Sequence, residues 1–155
     1  MGLDMYLYAR KYIGAWDFSS DDDKAVSLSI MKVVDFPVDR MPEHSKHGNV
    51  EFTVGYWRKA NAIHSWFVNN VQNKVDDCGY YYVSRENLLA LQGAVKEAYT
   101  DRSSTALEPV SGFFFGSQEK DRWYYQGLKY TNLLIDELLG DKRLDNWEFY
   151  YHSSW

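Results

Sequence analysis

Both ends of this chain read as β-strand, and that pairing constrains the fold more than any other feature. Leu3, Met5, Leu7 and Ala9 fall on one side of the segment Leu3 to Ile13, with Asp4, Tyr6, Tyr8 and Arg10 on the other, the two-residue period of a half-buried strand. The far end, Trp147-Glu-Phe-Tyr-Tyr-His152, is aromatic and β-prone. A chain ending on Tyr150, Tyr151 and Trp155 exposes a large apolar area unless the tail is docked, most simply as a strand beside the first. With helical periods lying between the two ends, the expectation is one α+β domain over residues 1–155, with about three helices packed on a small antiparallel sheet that includes both termini.

Between the ends, Gly14 and the acidic run Asp21 to Asp23 mark a turn, and the alternation within Ala25 to Val34 suggests a second β-like run. From Phe36 to Asn49 the chain carries Pro37, Pro42 and Gly48 with few apolar residues, which reads as a long loop. A first helix is predicted from about Tyr56 to Asn73, with Tyr56, Ala60, Ile63, Phe67 and Val71 on one face and Trp57, Asn61, His64 and Val68 along its edge. Asp76 to Gly79 then forms a turn and Tyr80 to Val83 a short extended piece. Ser84 caps a second helix carrying Leu88, Leu91, Val95 and Ala98 and ending near Tyr99. Thr100 to Pro109 is a polar loop, and Ser117 is positioned to cap a third helix that Gly140 stops.

The segment Gly55-Tyr-Trp-Arg-Lys-Ala-Asn-Ala-Ile-His-Ser-Trp-Phe-Val-Asn69 crowds an Arg, two Asn, a His and several large aromatics into a few turns. Core positions rarely need so much hydrogen-bonding capacity, and exposed positions rarely need so much aromatic area, so part of this segment is expected to line a pocket or an interface. The composition points the same way. Aromatic residues make up 17% of the chain, including 13 Tyr and 6 Trp, an excess suited to stacking surfaces, protein interfaces or cores with wet edges.

Charge and cysteine usage exclude several classes. The net charge is −5 with no Lys- or Arg-rich window, so the electrostatic footprint needed for duplex nucleic acid is missing. The single Cys78 leaves no intrachain disulfide and suits a reducing compartment. No apolar run nears the ~20 residues that cross a bilayer, and the N-terminus lacks the cationic region and cleavage site of a secretory signal. The expectation is a cytoplasmic protein with no membrane partner.

The chemistry-bearing residues form four groups, each with a structural alternative. Asn61 and His64 lie one turn apart and can share a ligand, with Arg58 reaching an anionic group from the side; the alternative is a His satisfied at the rim of an aromatic core. Asp76, Asp77 and Cys78 can fold back near His64, but the paired spacing of a zinc site is absent, and a helix-terminating turn with a buried thiol explains them as well. His44 and His47, beside Glu43, sit in a loop that supplies no fixed geometry for a metal. Gly112-Phe-Phe-Phe-Gly-Ser117 precedes a helix as an anion-binding loop does, yet Glu119 and Asp121 already bring negative charge to that turn. A tight aromatic turn, with Trp123 and Tyr124 as pocket walls, accounts for it better. No metal site and no cofactor are expected.

Gly2-Leu-Asp-Met-Tyr-Leu7, Tyr56-Trp-Arg-Lys-Ala-Asn61 with Ile63-His64 and Trp66-Phe67, Asp76-Asp-Cys78, Gly112 to Ser117, Trp123-Tyr124 and Ser153-Ser-Trp155 together carry a resemblance over nearly the whole chain. The sequence resembles a family of small proteins without assigned activity that are encoded by tailed bacteriophages and prophages. The resemblance implies a cytoplasmic accessory protein acting inside an infected bacterium, where such proteins inhibit host defence enzymes or sequester nucleotide signals. It carries over no catalytic residue.

Three functions follow, in this order. The first is non-enzymatic binding of a small polar, nucleotide-like ligand by Trp57, Arg58, Asn61, His64, Trp123 and Tyr124, as in counter-defence sequestration. The second is a protein-interaction module that caps a host enzyme through Tyr-rich surface and acidic charge. The third is a small hydrolase or transferase using His64 with Asp77 or Cys78. Ligand identity and oligomeric state, including a homo-oligomer, stay open.

Overall fold

The computed structural model describes residues 2–42, 46–112 and 116–155. The elements follow in the order β1 (Asp4–Gly14), α1 (Asp21–Val33), β2 (His47–Arg58), α2 (Asn61–Asn70), β3 (Tyr80–Val83), α3 (Arg85–Thr100), α4 (Arg122–Gly140) and β4 (Glu148–Ser154). The protein is α+β: among the described residues, four helices accompany a four-stranded antiparallel sheet of order β2-β1-β4-β3. The tail strand β4 pairs beside β1, as the aromatic ending requires. Two compact units can be distinguished, one made of the residues up to Ala9 with Thr53–Trp155 and the other of Arg10–Phe52.

In the larger unit the strand alternation works as the sequence suggests. Leu3, Met5, Leu7 and Ala9 are buried, and the register Tyr81↔Tyr151 and Val83↔Phe149 places Val83, Phe149 and Tyr151 in the same core. Ile63 and Phe67 of α2, Leu88 and Leu91 of α3 and Leu128 and Ile135 of α4 complete it, and α3 packs along α4. Phe67 stacks on Tyr151 with ring centroids 3.9 Å apart. The opposite register positions, Tyr80↔His152 and Tyr82↔Tyr150, turn their rings outward, where Tyr80 stacks on His152 at 4.5 Å and Tyr6 meets Tyr56 at 5.3 Å.

Gly55 is required by close approach rather than by a turn. A Cβ there would lie 2.7 Å from Leu134 Cδ2 and 3.2 Å from Leu7 Cβ, so its absence lets α4 pack directly onto β2. Helix α3 begins as expected at Ser84, whose hydroxyl accepts from Asn87 N while the Asn87 side chain accepts from Ser84 N, a reciprocal cap.

Several sequence expectations need correction. Residues Asp21–Val33 form helix α1 instead of the expected β-like run: Ser20 Oγ accepts from Asp23 N at 3.1 Å, three aspartates occupy the first turn and Lys32 the last, all favourable to a helix dipole. This capping outweighs the local Val-Ser-Leu-Ser-Ile alternation and adds a fourth helix to the three expected. The predicted first helix starts a turn too early, because Tyr56, Trp57 and Arg58 end β2. Aromatic residues favour the strand, the Lys59 N–H donates to Leu3 O at 2.7 Å, and Lys59 then turns the chain with φ 56°. Helix α4 starts at Arg122 with Asp121 as its cap, whereas Ser117 Oγ accepts from Glu119 N in the preceding loop.

The smaller unit contains α1, the last residues of β1 and the first residues of β2. Arg10 pairs with Glu51 at 2.7 Å, and Trp16 stacks on His47 at 4.9 Å. The expected loop over 36–49 ends earlier than the sequence suggests, since His47 opens β2. Glu43 and His44 lie outside the described residues, so of that candidate group only His47 is placed, against Trp16.

Candidate ligand-binding cleft

The turn from β2 into α2 and the start of α4 enclose a cavity of about 600 Å³ in the larger unit. Trp57, Ala60 and Ile63 line it from the β2–α2 side, Trp123, Gly127 and Tyr130 from α4, and Gly116 and Ser117 from the intervening loop. Trp123, Gly127 and Tyr130 recur at helical spacing on one face. Gly127 borders open space, since a Cβ there would meet nothing within 4 Å.

Five of the six residues expected at a site line this cleft: Trp57, Arg58, Asn61, Trp123 and Tyr124. They contribute in different ways. Trp57 is buried and its indole N–H donates to Thr131 Oγ1 at 2.8 Å, so it is a fixed wall. Asn61 is also buried; its amide nitrogen donates to Ser117 O at 2.8 Å and its carbonyl accepts from Val110 N at 3.2 Å, tying both flanks of the loop to the start of α2. Tyr124 donates to Leu107 O at 2.7 Å, and burial pushes its phenol up to about 12, so it stays neutral. Arg58 and Trp123 are the exposed members, with side-chain exposure of 64% for Arg58 and residue exposure of 75% for Trp123. Arg58 forms a long ion pair with Asp4, Nε to Oδ1 3.9 Å, without a hydrogen bond.

His64 sits elsewhere. It is 1% exposed, with Nδ1 2.7 Å from the Tyr151 hydroxyl and Nε2 3.0 Å from Asp76 Oδ2. The other Asp76 oxygen accepts from the Trp155 indole N–H at 3.1 Å. A hydrogen-bonded relay thus runs from the buried Tyr151 of β4 and His64 of α2 to the half-buried Asp76 before β3 and the exposed Trp155. Burial and the nearby Asp76 charge raise the Tyr151 phenol well above its ordinary range, so Tyr151 acts as a neutral hydroxyl. Asp77 serves the turn itself, accepting from Gly79 N at 2.9 Å and Tyr81 OH at 3.0 Å. The carboxylate that meets His64 is therefore Asp76, and Cys78 follows in the same turn with φ 56°.

Sequence reasoning did not single out Lys59, Ala60, Gln126 or Tyr130 as cleft residues. The Trp123-Gly127-Tyr130 spacing was a readable signal for Tyr130, whereas the left-handed turn that brings Lys59 to the rim had none. Phe113 to Phe115 of the aromatic loop lie outside the described residues. Among the described residues, no group of three or more His, Cys, Asp or Glu gathers to hold a metal ion, and no helix is long and apolar enough to cross a membrane. Comparison with protein-family models, curated proteins and solved structures finds no match to this chain.

Proposed function

We propose that the protein binds a small polar, nucleotide-like ligand without transforming it, in the cleft between the β2–α2 turn and the start of α4. The observation that carries this reading is the convergence of Trp57, Arg58, Asn61, Trp123 and Tyr124 on one cavity of about 600 Å³, within the range of roughly 300–1,000 Å³ common for small-molecule sites. A rigid aromatic wall, an exposed indole and a cation at the rim suit a planar ring with a polar substituent. Non-catalytic binding is favoured because His64, the segment's acid–base group, is 1% exposed and does not line the cleft. By the resemblance to phage proteins, such binding would withdraw a nucleotide signal from a host's defence.

The test is calorimetric titration with a panel of nucleoside monophosphates, on the wild type and on Gly127→Leu. The added side chain occupies the cleft, and loss of at least about tenfold in affinity with an intact fold is the expected result. Unchanged affinity in Gly127→Leu would place binding elsewhere.

A protein-interaction reading stands second, favoured by the outward tyrosines Tyr80 and Tyr82, which are exposed. A Tyr80→Ser, Tyr82→Ser variant that keeps ligand binding but loses inhibition of a host enzyme would select it.

A further inference from the structure

The cleft is lined by opposite charges. Arg58 and Lys59 lie consecutively where β2 turns into α2, whereas Glu119 and Asp121 come from the loop leading into α4. The two helix starts differ correspondingly. Asp121 Oδ1 accepts from Trp123 N at 2.9 Å and Tyr124 N at 3.0 Å, so the start of α4 is already occupied by a carboxylate. At α2 the capping position is Ala60, which makes no side-chain cap. The first N–H groups of any helix lack intrahelical acceptors and favour negative charge, so the α2 wall adds to the field of the two cations.

We infer that the cleft holds its ligand in one orientation, with an anionic group, phosphate or carboxylate, at the Arg58–Lys59 end and a hydrogen-bond-donating aromatic ring toward Glu119 and Trp123. This rests on the cleft being the binding site and adds the ligand's polarity. An anion at the other end would meet Glu119 and Asp121, while an exocyclic amine there finds a carboxylate acceptor. Trp57 and Trp123 line the same cleft. Gly116, at φ +87°, brings the loop against Lys59, since a Cβ there would lie 3.1 Å from Lys59 Cβ; this contact holds the turn that carries the cations.

The experiment titrates adenosine, adenosine 5′-monophosphate and adenosine-5′-carboxylate, and the matching guanosine set, into the wild type and an Arg58→Gln, Lys59→Gln variant. The anionic forms should bind at least about tenfold more tightly than the nucleoside. The variant should bring the anionic forms down to the affinity of the nucleoside measured on the same variant, so that the anionic preference disappears. Raising salt should weaken only the anionic forms, a readout on the wild type alone that keeps the test open if the variant folds poorly. A phosphate preference over carboxylate, or the reverse, identifies the group. Nucleoside and nucleotide binding equally would overturn the polarity and leave the cleft standing; no binding by any of the six would overturn both.

Discussion

The cleft beside α2 and the relay beneath it draw on one crowded stretch of sequence, yet they use polar side chains in opposite ways. Around His64 the ring nitrogens and both Asp76 oxygens have partners in the chain. At the cleft, Arg58 and Trp123 remain largely exposed, and the polar groups that are paired, on Trp57, Asn61 and Tyr124, fix its walls. Satisfied buried polar groups specify a structure because leaving a partner orphaned is costly. Polar groups at the rim of a cavity contribute little to folding and remain available to a ligand. Residue type alone does not separate these roles; what separates them is whether a partner arrives from another part of the chain.

The sharpest way to break this contrast is at Tyr151, where stacking on Phe67 and the hydrogen bond to His64 meet. Tyr151→Ala should cost about 3–5 kcal/mol, lowering the melting temperature by ~10 °C or more; a thermal melt close to wild type would mean that the relay is not part of the core. A smaller effect is expected at Gly55, where α4 packs onto β2 beside Trp57. Gly55→Ala places a Cβ 2.7 Å from Leu134 and should destabilise by about 1–3 kcal/mol, measured by urea denaturation.

The smallest effect sharpens the cleft side. Tyr124→Phe removes the bond to Leu107 O, worth about 0.5–1.5 kcal/mol near neutral pH. Because the folded phenol titrates at about 12 against ~10 in the unfolded chain, the unfolded state releases its proton first. The wild type therefore keeps this contribution below pH ~10 and loses it as pH rises toward about 12. The gap between wild type and Tyr124→Phe should narrow over that window in denaturation series; a constant gap would show that the hydroxyl is not held neutral by its surroundings.

The fold was legible where a period or a cap dominated. The Leu3 to Ala9 alternation, the Ser84 cap and the aromatic tail each led to the right element because local pattern and tertiary packing agree there. Helix α1 escaped because apolar residues at alternate positions also fit a helix with two apolar flanks, and the deciding information lay in Ser20 and its aspartates. The β2–α2 boundary escaped because Tyr56 and Ala60 continue the helical period of Ile63 and Phe67, while the break depends on a left-handed Lys59 and a hydrogen bond to Leu3, neither of which local sequence encodes. At the cleft, aromatic and cationic residue types were readable. That His64 turns inward depends on Tyr151, 87 positions away, and on which of two neighbouring aspartates faces it.

The most direct test of the division is a pair of variants carried through both a thermal melt and a titration with adenosine 5′-monophosphate. His64→Ala should lower the melting temperature by several degrees, through an orphaned Tyr151 and Asp76 and a cavity, while the protein that stays folded binds as wild type. Arg58→Ala, at an exposed position, should change stability by no more than about 0.5 kcal/mol and weaken binding roughly ten- to a hundredfold, the loss expected for a charged hydrogen bond of about 1.5–3 kcal/mol. A His64→Ala protein that melts like wild type and fails to bind, or an Arg58→Ala protein that melts early and binds normally, would contradict the account.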